Sequence, residues 1–292
     1  MKDYLIRGMD KLGRVRIFVA RTTNLVEEAR VIHNSSPTAT AAIGRSLTAG
    51  AIMGAMMKNE DDLLTLKISG DGPIGRILVV ANNHGDVKVD VINPMADVPS
   101  RADGKLDVGT LVGRDGSITS IMDLGMKEPY IGQSSIITGE IAEDLANFYI
   151  TSEQIPTAVS LGVLVNTDIS CMAAGGFIIQ VLPGITDEEI TLIEDAISKS
   201  QSISTLIDKG LTPEEIMENV LGEFEMEILD KIDLKYNCDC SREKIEKVII
   251  SLGKKEIEDI IEEDGQAEVV CHFCNTRYNF EKEDLFKLVI DN

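Results

Sequence analysis

Four of the chain's five cysteines fall in two short motifs near its end, Cys238-Asp239-Cys240 and Cys271-His272-Phe273-Cys274. Structural zinc sites take four nitrogen or sulfur donors in a tetrahedron, and two closely spaced cysteine pairs supply all four. The C-x-x-C half is a zinc-knuckle spacing, and Asn275 just after it is a residue type that tolerates left-handed backbone. In the C-x-C half the two thiols stand on the same side of an extended chain, because side chains alternate with period two. The spacing therefore predicts one zinc ion held by Cys238, Cys240, Cys271 and Cys274. His272 lies between two of these positions, but four thiolates already complete the shell.

Two uses of such a centre stand side by side. It can be an inert clip on a domain too small to fold alone. It can also be a switch, since zinc keeps all four sulfurs as thiolates, the form that peroxide or hypochlorous acid attacks. In that case each cysteine has a neighbour able to resolve a sulfenic acid, and the products are Cys238–Cys240 and Cys271–Cys274 disulfides that no longer hold zinc. An enzymatic zinc, as in a hydrolase or oxidoreductase, keeps a coordination position open, which four cysteines do not.

The elements around the motifs belong to a chain of 292 residues, 43% of them hydrophobic, enough for a large core and a small second domain. The formal net charge is −21, with −5 over residues 1–180 and −16 over residues 181–292. Such a surface repels nucleic acid and anionic lipid, so neither is expected as a partner, and a nucleic-acid zinc ribbon is disfavoured. Met1 to Arg7 is charged where an export signal needs an apolar run, and no apolar stretch has the length of a membrane span. A cytoplasmic location, reducing for the cysteines, is the expectation.

Tyr4–Met9 and Val15–Thr22 read as strands, Leu25–His33 and Ala39–Met57 as helices, the second entered at Ser36-Pro37 and rich in small residues like a buried helix. Leu63–Ser69, Ile77–Ala81, Val87–Ile92, Ala158–Val165 and Gly176–Leu182 read as strands, and Gly139–Ser152 as a helix. The character changes near Pro183-Gly184. Thr186-Asp187-Glu188-Glu189 and Thr212-Pro213-Glu214-Glu215 then match the capping box. Their helices carry narrow apolar stripes (Ile190, Ile193, Ile197 and Ile216, Val220, Leu221) on acidic surfaces, so they must dock on something else. The expected fold class is α+β: a mixed, mainly antiparallel sheet core domain with helices over 1–183, a helical linker over 184–232, and a small four-cysteine zinc domain over 233–292.

Other signals read as structural. Gly70-Asp71-Gly72-Pro73-Ile74-Gly75 matches a dinucleotide fingerprint in letters, but a strand follows it rather than a helix, so a hairpin turn is expected. Cys171 reads as a buried core thiol, and Met53, Met56 and Met57 as core, with a client-binding surface the alternative. His33 and His84 have no triad pattern. The acids of 256–264 alternate with apolar residues as on a solvated helix face.

With the cysteine spacing in place, the chain resembles the heat shock protein 33 family, the 33 kDa chaperonins. The likeness extends to Ser69–Gly75, to Tyr130-Ile131-Gly132-Gln133, and to Gly139–Leu145 running on to Ser152-Glu153-Gln154-Ile155-Pro156. The resemblance implies a redox-regulated holdase that is not an enzyme and uses no ATP. It is inactive with zinc bound and reduced. Oxidation joins neighbouring cysteines, releases zinc and loosens the zinc domain and linker. The partners implied are unfolding client proteins and a second copy in an activated homodimer. The alternative is a binding or scaffold protein with an inert structural zinc.

Overall fold

The chain opens as a hairpin of β1 (Tyr4–Asp10) and β2 (Val15–Arg21), and the Asp10 carboxylate fixes the turn by accepting the N–H groups of Arg14 and Val15 at 2.5 and 2.7 Å. Helices α1 (Thr23–His33) and α2 (Pro37–Ala55) follow. Ser36 caps α2 by accepting the Ala39 N–H at 3.2 Å, and Pro37 takes a first-turn position where its missing donor is harmless. Next come β3 (Leu63–Ser69), β4 (Arg76–Asn82), β5 (Asp86–Val91), α3 (Val108–Val112), β6 (Ser117–Asp123) and β7 (Tyr130–Ser135). Helix α4 (Ile141–Thr151), β8 (Thr157–Val165) and β9 (Cys171–Val181) complete the sheet-forming part. Three acidic helices, α5 (Asp187–Lys199), α6 (Ile203–Asp208) and α7 (Pro213–Leu221), lead into β10 (Met226–Asp233) and the short β11 (Lys235–Tyr236). After the cysteine motif lie α8 (Arg242–Ile250), α9 (Lys254–Glu263), the hairpin β12 (Gln266–Val270) and β13 (Arg277–Glu281), and α10 (Lys282–Ile290). The computed structural model describes residues 1–290. It resolves into two compact units, Met1–Asn237 and Cys238–Asn292.

The larger unit holds two sheets, ordered β10-β1-β2-β9-β8 and β11-β5-β4-β3-β6-β7. All pairings are antiparallel except β11 with β5. The fold is thus α+β with mainly antiparallel sheets, as the sequence predicts. Ser69 pairs with Arg76, so Gly70–Gly75 is the loop of a β3–β4 hairpin and not a nucleotide-binding turn.

Helix α2 packs against strands of both sheets. All its residues but Pro37 and Arg45 are buried, which requires an apolar helix all round. It also requires small ones. A Cβ on Gly50 would sit 2.4 Å from Val79 Cγ1, and one on Gly44 would sit 2.7 Å from Val163 Cγ2. The helix hydroxyls pair locally, Thr48 with the Gly44 carbonyl and Thr22, and Ser46 with the Ala42 carbonyl.

The first sheet uses both faces, and the two-residue alternation of its strands divides them. Leu5, Phe18 and Ala20 face the core around α2. Tyr4, Ile6, Val15, Ile17 and Val19 point the other way, joined by Phe177 and Ile179 of β9. Onto this outer face dock Ile193 of α5, Ile203, Leu206 and Ile207 of α6, and Ile216, Met217, Val220 and Leu221 of α7. Both capping boxes are formed, at Thr186–Glu189 and Thr212–Glu215. The acidic helices are therefore a cover for an apolar sheet face, and their stripes are thin because each contributes only part of it.

The smaller unit has one modest core, centred on Ile249, Ile257, Ile261, Phe280, Leu285, Leu288 and Val289. Its α9 buries Ile257 and Ile261 while its carboxylates face solvent. No helix among the described residues is long and apolar enough to cross a membrane.

The close approach of α2 to β4 gives a direct test. Substituting Gly50→Val drives methyl groups into Val79 and should destabilise the larger unit by about 2–3 kcal/mol. The urea unfolding midpoint measures this, and an unchanged midpoint would contradict the packing described.

Candidate metal centre

Cys238 and Cys240 lie in the extended stretch between β11 and α8, and Ser241 ends that stretch by capping α8 through the Lys244 N–H. Cys271 follows β12 directly, and Cys274 sits in the turn before β13. That turn is tight. The Asn275 N–H reaches the Cys271 carbonyl at 2.7 Å, the Cys271 N–H reaches the Thr276 carbonyl at 2.9 Å, and Asn275 takes φ 56°, the left-handed conformation its side chain suits. The β12–β13 ladder, from Gln266–Glu281 to Val270–Arg277, holds the turn rigid at its base.

These two loops bring all four sulfurs together, each within 4.8 Å of the others. Cys238 Sγ lies 3.7 Å from Cys271 Sγ, and Cys240 Sγ lies 3.4 Å from Cys274 Sγ. Zinc–sulfur bonds of 2.3 Å in a tetrahedron place sulfurs about 3.8 Å apart, so the cluster has the size of a tetrathiolate centre. All four cysteines are free thiols and partly buried. The donor set fits a soft, tetrahedral metal ion. The His272 ring is exposed and is not among the clustered donors.

The electrostatics carry the same message. Burial pushes the Cys238 and Cys271 thiols above their ordinary range. Burial also raises Cys274, but hydrogen bonds from the Thr276 side chain and backbone, with those from Cys240 and Cys271, outweigh it and bring this thiol to about 7. The Cys238 and Cys271 thiols therefore resist ionising on their own, and a dication among the sulfurs would remove that obstacle. Around them, the Tyr278 hydroxyl donates to Cys240 Sγ at 3.1 Å, the Thr276 hydroxyl lies 3.2 Å from Cys274 Sγ, and Lys244 pairs with Asp239. The Tyr278 phenol is raised to about 12 by its bond to Cys240. Sequence reasoning missed Tyr278 and Thr276. The strand register of β13 turns Tyr278 toward the thiols, and the tight turn before it places Thr276 beside Cys274.

The fifth cysteine is elsewhere. Cys171 begins β9, is buried beside Val26 and Ala174, and its thiol is pushed up to about 12, mainly by burial. This is the inert core thiol expected. The Met53 side chain is buried, while Met56 and Met57 are half-buried at the end of α2.

Fold and site together define a two-unit protein in which a small unit with a four-thiol cluster able to hold a metal ion follows a larger α+β unit. The sequence profile of the family described as Hsp33 protein matches residues 3–281. A "33 kDa chaperonin" of Bacillus cereus (strain B4264) is 52% identical over 289 residues, 99% of each chain, and one of Bacillus cytotoxicus is 50% identical over the same span. The crystal structure of a 33 kDa chaperonin (heat shock protein 33 homolog) from Thermotoga maritima matches with a TM-score of 0.91 at 37% identity, covering 100% of both chains. The chain belongs to the Hsp33 family.

The Tyr278 contact yields a prediction. Removing one hydrogen bond to a metal-binding sulfur costs about 10-fold or more in metal affinity. Tyr278→Phe should therefore lose metal to a competing chelator at lower chelator concentration than the unaltered protein. Equal competition curves would show that the hydroxyl does not tune the site.

Proposed function

We propose that this chain is an ATP-independent holdase chaperone, inactive when reduced and metal-bound and switched on by oxidation. The observation that supports it most is the pairing of a four-thiol cluster, on a unit with a small core, with acidic helices that cover an apolar sheet face. Cys238, Cys240, Cys271 and Cys274 are the proposed zinc ligands. Zinc, when bound there, keeps the sulfurs as thiolates and supplies folding free energy to the small unit.

The oxidation chemistry belongs to the cysteines. Peroxide converts one sulfur of a pair to sulfenic acid with release of water or hydroxide. The neighbouring sulfur then attacks it, a second water leaves, and a disulfide remains. In the resting cluster the contacts of 3.4 and 3.7 Å run between the two motifs, so proximity alone does not select a partner. Chain connectivity does. Once the cluster loosens, only residues within one motif remain tethered by a very short loop, which favours Cys238–Cys240 and Cys271–Cys274. Neither product retains the four thiolates.

The consequence for binding follows from covalent continuity. Strand β10, the exposed edge strand of the first sheet, and β11 connect α7 to Cys238. In this reading residues 184–232 act as a linker. Its helices loosen when the small unit unfolds, and Ile6, Val15, Ile17, Val19, Phe177 and Ile179 become available to unfolding client proteins. A holdase of this kind needs no catalytic residue. The same exposed face favours a homodimer after activation, the reducing cytoplasm suits the resting thiols, and the net charge of −21 disfavours nucleic acid or membrane as partners.

The test is zinc release, followed with a colorimetric chelator while the reduced protein meets peroxide at raised temperature, alongside aggregation of an unfolding client. The expected result is loss of one zinc ion, two disulfides within the motifs by mass spectrometry, and suppression of aggregation only afterwards. Zinc that stays put, or equal protection by the reduced protein, would instead make the metal an inert clip on a binding or scaffold protein.

A further inference from the structure

Away from the cysteines, the larger unit contains a cavity of about 370 Å³ where the end of α2 meets α4. Its wall is unusually rich in thioethers, with Met53, Met56, Met57 and Met122 beside Leu124 and Phe148. Such a volume suits a small ligand, and unbranched thioether side chains adapt to varied apolar shapes. At the end of α2 these methionines are not all packed away as a core helix requires, because Met56 and Met57 remain half-buried.

Two cations line the same cavity, Arg16 of β2 and Lys58 just beyond α2. Among the described residues neither forms an ion pair. Arg16 Nε donates to Gln180 Oε1 at 2.7 Å, and its guanidinium lies 5.9 Å from the Phe18 ring centre. Burial depresses the Arg16 pKa, with Tyr149 opposing the shift and Arg7 adding to it. Two acids also line the cavity, and both are engaged by other donors. Asp62, itself buried, accepts the N–H groups of Lys58 and Asn59 at 3.3 and 3.0 Å and the Asn59 side-chain amide. Glu153 accepts the Ser152 hydroxyl at 3.1 Å and the Tyr130 hydroxyl at 3.4 Å. The Tyr149 hydroxyl points to Met56 Sδ at 3.4 Å. In a chain of net charge −21, two cations that form no ion pair with the carboxylates lining the same cavity are a specific arrangement.

We propose that this cavity binds a small anionic amphiphile, an apolar body seated among Met53, Met56, Met57 and Met122 with a single anionic head group paired to Arg16 and Lys58. The site lies wholly within the larger unit and needs no change at the cysteines, so it stands independently of the redox reading.

The experiment uses the full-length, reduced, metal-loaded protein and the fluorescent probe anilinonaphthalene sulfonate, with decanoate and decanol as competitors. The expected result is saturable binding of one probe per chain, displaced by decanoate about tenfold more effectively than by decanol, as a charged hydrogen bond requires. Arg16→Gln and Lys58→Gln should each erase most of that preference for decanoate, while circular dichroism stays unchanged. Lys58 is exposed, so its variant keeps the test valid if Arg16→Gln folds poorly. Non-saturable probe binding, equal displacement by decanol, or an unaltered decanoate preference in Lys58→Gln would overturn the proposal.

Discussion

Four sulfur atoms lie within 4.8 Å of one another, an arrangement that can be fully ionised only if something positive sits among them. As thiols they are weak donors, and as thiolates they repel. The smaller unit is organised around this constraint. Its hairpin exists to present Cys271 and Cys274, its α8 begins where the Cys238–Cys240 stretch ends, and Tyr278 turns a hydroxyl toward the cluster. The remaining apolar core is modest, and a metal ion held by the sulfurs would add folding free energy to it.

The larger unit solves a different problem, and in two ways. Its inner core is tight, with α2 threaded between two sheets through glycine and alanine contacts that leave no tolerance for added volume. Its outer face is covered by three short helices that contribute only a few apolar side chains each. Each such side chain is worth roughly 1.5–3 kcal/mol of burial, against an ordering cost of about 1–2 kcal/mol for every residue fixed. A cover built this way is the part of the unit expected to open first, and the inner core the last.

Much of this was legible in the sequence because local patterns coincided with tertiary roles. Ser36-Pro37 marked the entry of α2, the small residues of 39–57 announced its burial, and the capping boxes at Thr186 and Thr212 formed as written. The cysteine spacing anticipated that the four thiols converge. Strands β6, β7 and β10 were not legible. Ser117–Asp123 and Tyr130–Ser135 are serine-rich and interrupted, and Met226–Asp233 is an exposed, charged edge strand, so each is a strand only because a partner pairs with it. The partner of the narrow helical stripes was likewise hidden. It is assembled from alternate residues of β1, β2 and β9, which no window of sequence contains.

The claim that joins the two units is that a change at the thiols loosens the helices covering the first sheet. Hydrogen exchange followed by mass spectrometry, comparing the reduced metal-loaded protein with the oxidised metal-free one, addresses it directly. The account predicts fast exchange across α5 to α7 and β10 after oxidation, with α2 and β9 still protected. Unchanged protection of α7 in a protein that has lost its metal and formed both disulfides would contradict it.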